Sequence, residues 1–496
     1  MSVARREQIP PLSKSRFNYG LQCHKRLYLE CFNRELADPV DEQQQALFDT
    51  GHEVGELARK LYTSGLLIKE DHLHHADAMI STNAVLSDAT LPALFEAAFL
   101  HDDIRIRADI LARADDGCFD LIEFKSGAQI KDENIPDAGV QLFVLNGCGI
   151  QVRRTCIGHL NKEYIYPGGE YDLGQLFCIE DVTDQVLQWQ PEIPMLLDEM
   201  RRPLWNPEPP DIKAGRQCSR PNKCSFHGHC HADEPEHPAG KLPMASEKLL
   251  QSLAEAGIAD IRDIPDGFAG LNATQKRVRD CVINDCLYLE SELAHHLQQL
   301  EYPIHFLDFE TFSPALPIYV GTRPYQVIAF QWSNHILEKS GELRHEQFLY
   351  DGTDDPRESL AKSLLKTLGS RGSIVVYSSF EATRIRELAA AFPGMSADLL
   401  SLHDRVVDLL QLVRKHCYHP AFHGSFSIKT VLPALVPDLD YSDLEINDGI
   451  LASLAYAEMR RPETTPGRRE SLKQGLLAYC KRDTEAEVRL FQTLCR

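Results

Sequence analysis

Asp109 lies in the run "RADIL", and the run "LIEFKS" further along supplies Glu123 and Lys125. Alternate residues of a strand share a face, so Glu123 and Lys125 point the same way. Two carboxylates on paired strands are donors that Mg²⁺ or Mn²⁺ prefers. Such an ion lowers the pKa of a bound water and stabilises charge on a phosphodiester. A neighbouring lysine orients that water or neutralises the charge developing on phosphorus. Taken alone, Asp followed by Glu-x-Lys is a frequent accident, and an ion pair on one strand face explains it as well.

Two further constellations stand elsewhere in the chain. "HFLDFETF" puts Asp308 and Glu310 on one face of a strand, and "YCKRD" puts Tyr479 and Asp483 one helical turn apart. Carboxylates from a strand and a distant helix, with a tyrosine to orient water, meet the needs of two-metal hydrolysis. Asp408 in "VVDLLQLV" is a further carboxylate of the same region. Cys23 stands early in "LQCHKRLYLE", and Cys218, Cys224 and Cys230 are spaced through "QCSRPNKCSFHGHC". Four thiolates suit a [4Fe–4S] cluster or a structural Zn²⁺. His227, His229 and His231 keep a Cys/His zinc site in competition.

The elements that must position these groups read as several domains. A chain of 496 residues exceeds one ordinary core. Its 43% hydrophobic and 25% charged content is that of a water-soluble globular protein. No run approaches the ~20 apolar residues of a membrane span, and "MSVARREQIPPLSKSRF" has no apolar core of a secretory signal, so a cytoplasmic location is expected. A net charge of −21 argues against a broadly basic nucleic-acid binder, although a basic groove can exist on an acidic protein. The cysteines, in a reducing compartment, are no disulfide framework.

"IRIRADILARADDGCFDLIEFKS" alternates, breaks at "ADDG" and resumes, a hairpin signal. "DAGVQLFVLNGCG" reads as a helix ending on glycines, and residues 41–64 carry apolar residues at helical spacing. Pro-rich stretches on either side of the cysteine cluster mark linkers. Residues 246–300 read as helices with a weak helix-hairpin-helix signal. From residue 302 strands alternate with helices, which predicts an α/β domain closed by one long amphipathic helix.

In their order along the chain these motifs resemble a bacterial family that fuses a RecB-like PD-(D/E)XK iron–sulfur nuclease module to an RNase H-like DEDD-type 3′–5′ exonuclease domain. The resemblance implies a restriction-endonuclease-like mixed sheet at 1–240, a helical connector at 241–300 and an RNase H-like α/β domain at 301–496. It adds a helical Gln, matched by Gln141, that orients substrate or Lys125, and an upstream Glu, compared with Glu96. Leu145 stands where the family has Tyr. The position of its metal-binding His falls on Gly55, so Glu56 is the preferred additional ligand beside Asp109 and Glu123. The early cysteine and three late ones resemble the cluster that staples the two ends of iron–sulfur nucleases, although the spacing of the late three departs. In the second domain Glu381, in "YSSFEATRIREL", stands where the family has Asp, and it joins Asp308, Glu310 and Asp483 as a metal ligand. The expected function is a metal-dependent nuclease using Mg²⁺ or Mn²⁺, acting on single-stranded DNA. The alternatives are an RNA-directed exonuclease and a nucleic-acid-binding scaffold with degenerate centres.

Overall fold

The computed structural model describes residues 9–495; the expectation about the extreme N-terminus lies partly outside them. The chain is a multidomain α/β protein. It divides into two compact units, one of residues up to Asp233 together with Pro314–Gln326, the other of Glu234–Ser313 with the residues from Val327 onward.

The first unit is built on a seven-stranded mixed sheet. Its main strands are β1 (Ala93–His101), β2 (Ile104–Arg113), β3 (Phe119–Phe124), β4 (Val152–Leu160) and β5 (Phe177–Asp181). Short strands at Leu66–Leu67 and Leu12–Ser13 pair with β1 and β2. In β2 the isoleucines at 104, 106 and 110 are buried while Arg105 is exposed, the alternation read from sequence. The β2–β3 hairpin turns through Gly117, whose φ of +83° suits glycine. Strands β3 and β4 run parallel, which requires a crossover. Helix α4 (Asn134–Gly147) makes it and buries Val140, Val144 and Leu145. Upstream lie α1 (Lys14–Gln22), α2 (His24–Phe32) and α3 (Glu42–Arg59). Helix α5 (Ile193–Leu204) closes the same core with Ile193, Leu197 and Leu204.

The second unit holds a five-stranded sheet ordered β8-β7-β6-β9-β10. These strands are β6 (Ile304–Phe312), β7 (Ile328–Leu337), β8 (Leu343–Leu349), β9 (Ile374–Val376) and β10 (Val406–Asp408). The pairings β8–β7 and β7–β6 are antiparallel, whereas β6–β9 and β9–β10 are parallel. Both faces are covered. Leu307 and Phe309 pack on one side with Leu360 and Leu364, while Phe306 packs on the other with Phe491 and Leu494. Asp308 and Glu310 therefore share the face of Phe306. That face is covered by the C-terminal helix (Pro466–Leu494, 29 residues), whose Phe491 ring lies 5.3 Å from that of Phe306.

The helices expected as a connector belong to this second core. Leu249, Leu253, Val278 and Leu293 join Phe306, Phe491 and Leu494 in one apolar cluster. The division of the chain falls between Asp233 and Glu234, with residues 234–300 folded as part of the second unit.

Candidate active sites

In the first unit, β2 and β3 pair with Ile110 opposite Ile122, which brings Asp109 beside Glu123. The backbone N–H of Phe124 donates to Asp109 Oδ2 at 2.9 Å. Glu123 is 2% exposed and both of its oxygens are occupied. Oε1 accepts from Lys125 Nζ at 2.8 Å and from Lys14 Nζ at 2.6 Å, and Oε2 accepts from Gln141 Nε2 at 2.9 Å. Lys125 also pairs with Asp137, which takes a hydrogen bond of 2.8 Å from Asn18. The fold thus gathers all four expected residues, Asp109, Glu123, Lys125 and Gln141. Two were missed. Asp137 sits one helical turn before Gln141, a spacing that could have found it, whereas nothing local singles out Lys14.

Burial alone would raise the Glu123 carboxyl, but Lys125 and Lys14 outweigh it and hold the group well below the usual range. Asp109, half-buried beside the Glu123 charge, is pushed up to about 7 by loss of hydration first and that charge second. Glu96 faces Asp109 across β1, with a left-handed φ of +55°, and pairs with Arg107 at 3.1 Å. A cavity of about 250 Å³ next to Asp109 is lined by His52, Glu56, Arg59 and Glu96. Glu56, the preferred extra ligand, faces this cavity and lies 3.8 Å from Arg59. His52, out of register with the family's His in sequence, lines it too.

Two clefts flank these residues. One of about 610 Å³ reaches Asp109 past Lys14, Arg16, Arg34, Arg105 and Arg107. The other, about 850 Å³, runs from Lys125 past Tyr19, Arg26, Lys131, Trp189 and Arg220. Acidic residues share these walls, Glu30 and Glu96 in the first and Asp132, Glu133 and Asp137 in the second, and several pair with the cations.

Cys23 sits between α1 and α2, and Cys218, Cys224 and Cys230 come from the loop after α5. Cys224 N–H donates to Cys218 O at 2.8 Å. Burial raises the Cys230 thiol, and Cys218 and Cys23 both lie within its electrostatic reach; Cys224 likewise feels Cys218 and Cys230. Gln22, next to Cys23, donates to Gln217 O at 2.5 Å and to Asn222 O at 2.8 Å. Cys23 therefore shares one neighbourhood of the first unit with the three late thiols.

In the second unit four expected carboxylates converge from three elements. Asp308 and Glu310 come from β6, Glu381 from the first turn of the helix Phe380–Ala391, and Asp483 from the C-terminal helix. Glu310, Glu381 and Asp483 are buried. Ligand atoms of Asp308, Glu310 and Cys480 all lie within 4.8 Å of one another, and Cys480 donates to Asp308 Oδ2 at 3.5 Å. Tyr441 donates to Asp483 Oδ1 at 2.6 Å, and Tyr479 stands one helical turn before Asp483. Lys429 lies 5.0 Å from the centre of the Tyr479 ring and 5.4 Å from that of Tyr441.

Burial, then the charges of Asp483 and Glu310, hold Asp308 well above the carboxylate range. Burial and Asp483 do the same to Glu310 against the pull of Lys429. Glu381 is pushed up to about 8, by burial first, and Asp483 to about 6. Asp408, the alternative carboxylate, instead caps the helix Leu409–His416, its two oxygens accepting from Gln411 at 3.2 and 3.0 Å. Sequence reasoning missed Tyr441, Cys480, Lys429 and Glu487. The spacing Tyr479–Asp483–Glu487, one stripe of a helix, could have disclosed the last.

These raised groups make stability depend on pH with a definite sign. Each carboxyl is more easily protonated folded than unfolded, so its contribution is whole below the unfolded value and is lost as pH rises through the folded one. For Asp483 and Glu381 that loss runs from the ordinary 3.8 and 4.5 up to about 6 and about 8. In EDTA the second unit should melt several degrees lower at pH 8 than at pH 5, and Mn²⁺ added at pH 8 should reverse the fall. Scanning calorimetry at both pH values measures it.

Residues 305–427 match the family model of a domain of unknown function (DUF2779). The match takes in Asp308, Glu310, Glu381 and Asp408 and ends before Tyr479 and Asp483. No curated protein matches the chain. No described helix is long and apolar enough to cross a membrane.

Proposed function

We propose that the chain is a divalent-cation-dependent nuclease that hydrolyses single-stranded DNA at the carboxylate cluster of its second unit. One observation carries this reading: Asp308 and Glu310 stand with ligand atoms within 4.8 Å of each other, their charges coupled to Glu381 and Asp483, and Lys429 is the foremost cation acting on Glu310 and Asp483. Burying ionised carboxylates without partners is costly, and a hard divalent ion with oxygen ligands relieves that cost. The donor set fits Mg²⁺ or Mn²⁺.

Bound there, such an ion supplies a water of lowered pKa and stabilises charge on the phosphoryl oxygens. Asp308 and Glu310 hold it from one strand. Asp483 is fixed in orientation by the Tyr441 hydroxyl. Burial and then the Asp483 charge keep Tyr479 protonated far beyond neutral pH, so its hydroxyl orients the attacking water as a donor and takes no proton. The Lys429 ammonium, beside the same tyrosine ring and donating to Asn447 O at 2.6 Å, is the cation this site offers a phosphate.

In the first unit the fit to a cation is poorer. Glu123 already carries Lys14, Lys125 and Gln141, so its charge is matched by the chain itself. That observation favours a strand-binding role for the first unit, with the lysines and arginines of the clefts beside Asp109 and Lys125 holding phosphates. The four cysteines are assigned a [4Fe–4S] cluster, with Zn²⁺ as the alternative. Anaerobically purified protein should be brown, with broad visible absorption that Cys224→Ser removes; a colourless protein carrying one zinc would decide for the alternative. The free thiols of the chain suit a reducing cytoplasm.

The test uses DNA and RNA oligonucleotides labelled at either end, with Mg²⁺, Mn²⁺ or EDTA. DNA cleavage that needs the cation supports the reading. Cleavage of RNA alone would transfer the activity to RNA, and cleavage of neither would leave a binding scaffold.

A further inference from the structure

His416 is the last residue of the helix Leu409–His416 and is 3% exposed. Its Nδ1 stands 2.5 Å from Glu290 Oε2, and the Glu290 backbone N–H donates to His416 O at 3.0 Å. The Tyr288 hydroxyl donates to the other oxygen of Glu290. A carboxylate is an acceptor at neutral pH, so the proton of the neutral ring belongs on Nδ1, where Glu290 takes it. Nε2 is left as a lone pair, buried and with no hydrogen-bond partner.

A buried acceptor without a donor loses its hydration and gets nothing in return. A metal-ligating histidine has the same arrangement: one ring N–H goes to a carboxylate, which fixes the tautomer and leaves the other nitrogen to the ion. The helix Ser291–Gln298 packs against Leu409–His416, and its Leu293 and Leu297 share a core with Val413 and Cys417. Glu292 and His296, four residues apart, lie on one face of it. The His296 ring lies 5.6 Å from that of His416. A Glu292 oxygen stands within 4.8 Å of the ligand atoms of Glu290 and His416. Glu292 and His296 are both exposed, so an ion reaches them from solvent.

We propose that His416, His296 and Glu292 hold a Zn²⁺ ion, with Glu290 as the carboxylate that positions His416. Two imidazoles and a carboxylate are a donor set of zinc, whereas Mg²⁺ and Ca²⁺ prefer oxygen ligands throughout. Three protein ligands leave the fourth position of a tetrahedral ion to water. Bonds of about 2.0–2.2 Å bring the donors closer together than 4.8 Å, and the two exposed side chains turn inward to meet the ion. The ion joins the helix Ser291–Gln298 to the helix that follows β10, and it uses none of the carboxylates of the proposed hydrolytic site.

Zn²⁺ titration of the anaerobically purified full chain in excess Mg²⁺, followed by calorimetry, tests it. Mg²⁺ fills the oxygen-ligand sites, and uptake is read as a difference from the parent, so that zinc taken by the cysteines cancels. His416→Gln and Glu292→Gln should each take up one Zn²⁺ fewer than the parent, and Asp308→Asn should take up as many. Glu290→Gln should keep the ion but bind it ~10–100-fold more weakly. Zn²⁺ should also raise the melting temperature of the parent more than that of Glu292→Gln, an exposed substitution that leaves the fold intact. Melting in EDTA checks the folding of each variant. If His416→Gln and Glu292→Gln both bind as many Zn²⁺ as the parent at the same affinity, or the parent binds none, the site is wrong. Parental affinity in Glu290→Gln would overturn the positioning role of Glu290.

Discussion

Asp308→Asn lowers cation-dependent cleavage by at least ~10³-fold, whereas Asp109→Asn leaves it within ~10-fold of the parent protein. A cation on phosphoryl oxygens contributes several kcal/mol of transition-state stabilisation, and about 1.4 kcal/mol is tenfold in rate. Asp308 sits on the strand face covered by the C-terminal helix, with Glu310 two residues on and Asp483 opposite. Asn keeps the shape and loses the charge that holds the ion. In the first unit the balance differs, because Lys14 and Lys125 already neutralise Glu123. Asp109→Asn there alters a surface that grips the strand, so its effect should fall on KM more than on kcat. Single-turnover cleavage of end-labelled DNA at saturating Mn²⁺ separates the two. The reverse result, loss with Asp109→Asn and survival with Asp308→Asn, would move the chemistry to the first unit.

The difference between the two sites also explains how much of each was legible in the sequence. Asp109 and Glu123 could be placed together because a period of two and the "ADDG" turn fix the hairpin register, and register fixes which carboxylates are neighbours. Tyr479 and Asp483 followed from helical spacing in the same way. What strand and helix periods cannot convey is a partner delivered from elsewhere in the chain. Lys14 reaches Glu123 across 109 positions, and Tyr441 reaches Asp483 across 42. Neither pairing leaves a local pattern. The helices of residues 246–300 failed to declare their place for a related reason. An apolar stripe such as Leu249 and Leu253 says that something covers it, but not that it joins the core that holds Phe306 and Phe491. Glu487 was different: its spacing from Asp483 was visible, but a glutamate on an amphipathic helix is usually a solvated one, and only burial marks it out.

Glu123→Gln destabilises the first unit by about 3 kcal/mol, and adding Lys14→Met restores more than half of the loss. Removing one member of a buried ion pair costs about 3–5 kcal/mol, because the remaining charge is left without its partner. The lower end applies here, since the lysines keep about a quarter of their side chains exposed while Glu123 keeps 3%. Lys125 retains Asp137 after the substitution, so the stranded charge is chiefly Lys14. Replacing Lys14 by an uncharged side chain of similar length removes that charge, and a neutral pair of similar volume is often as stable as the ion pair it replaces. For a unit of this size about 3 kcal/mol corresponds to ~6–12 °C in melting temperature. The measurement belongs near pH 7. The depressed Glu123 carboxyl contributes its stability above its ordinary 4.5 and loses it only as pH falls through the folded value. Lys14 and Lys125 are raised, so their contribution is whole below 10.5 and goes as pH rises through their folded values. Between those limits Glu123, Lys14 and Lys125 all carry their charges, and calorimetry of the single and double variants in EDTA isolates them from any bound cation. If the double variant melts as low as Glu123→Gln alone, Lys14 is not the charge that Glu123 balances. The first unit would then have a carboxylate free to hold a cation, and the case for a second hydrolytic centre would reopen.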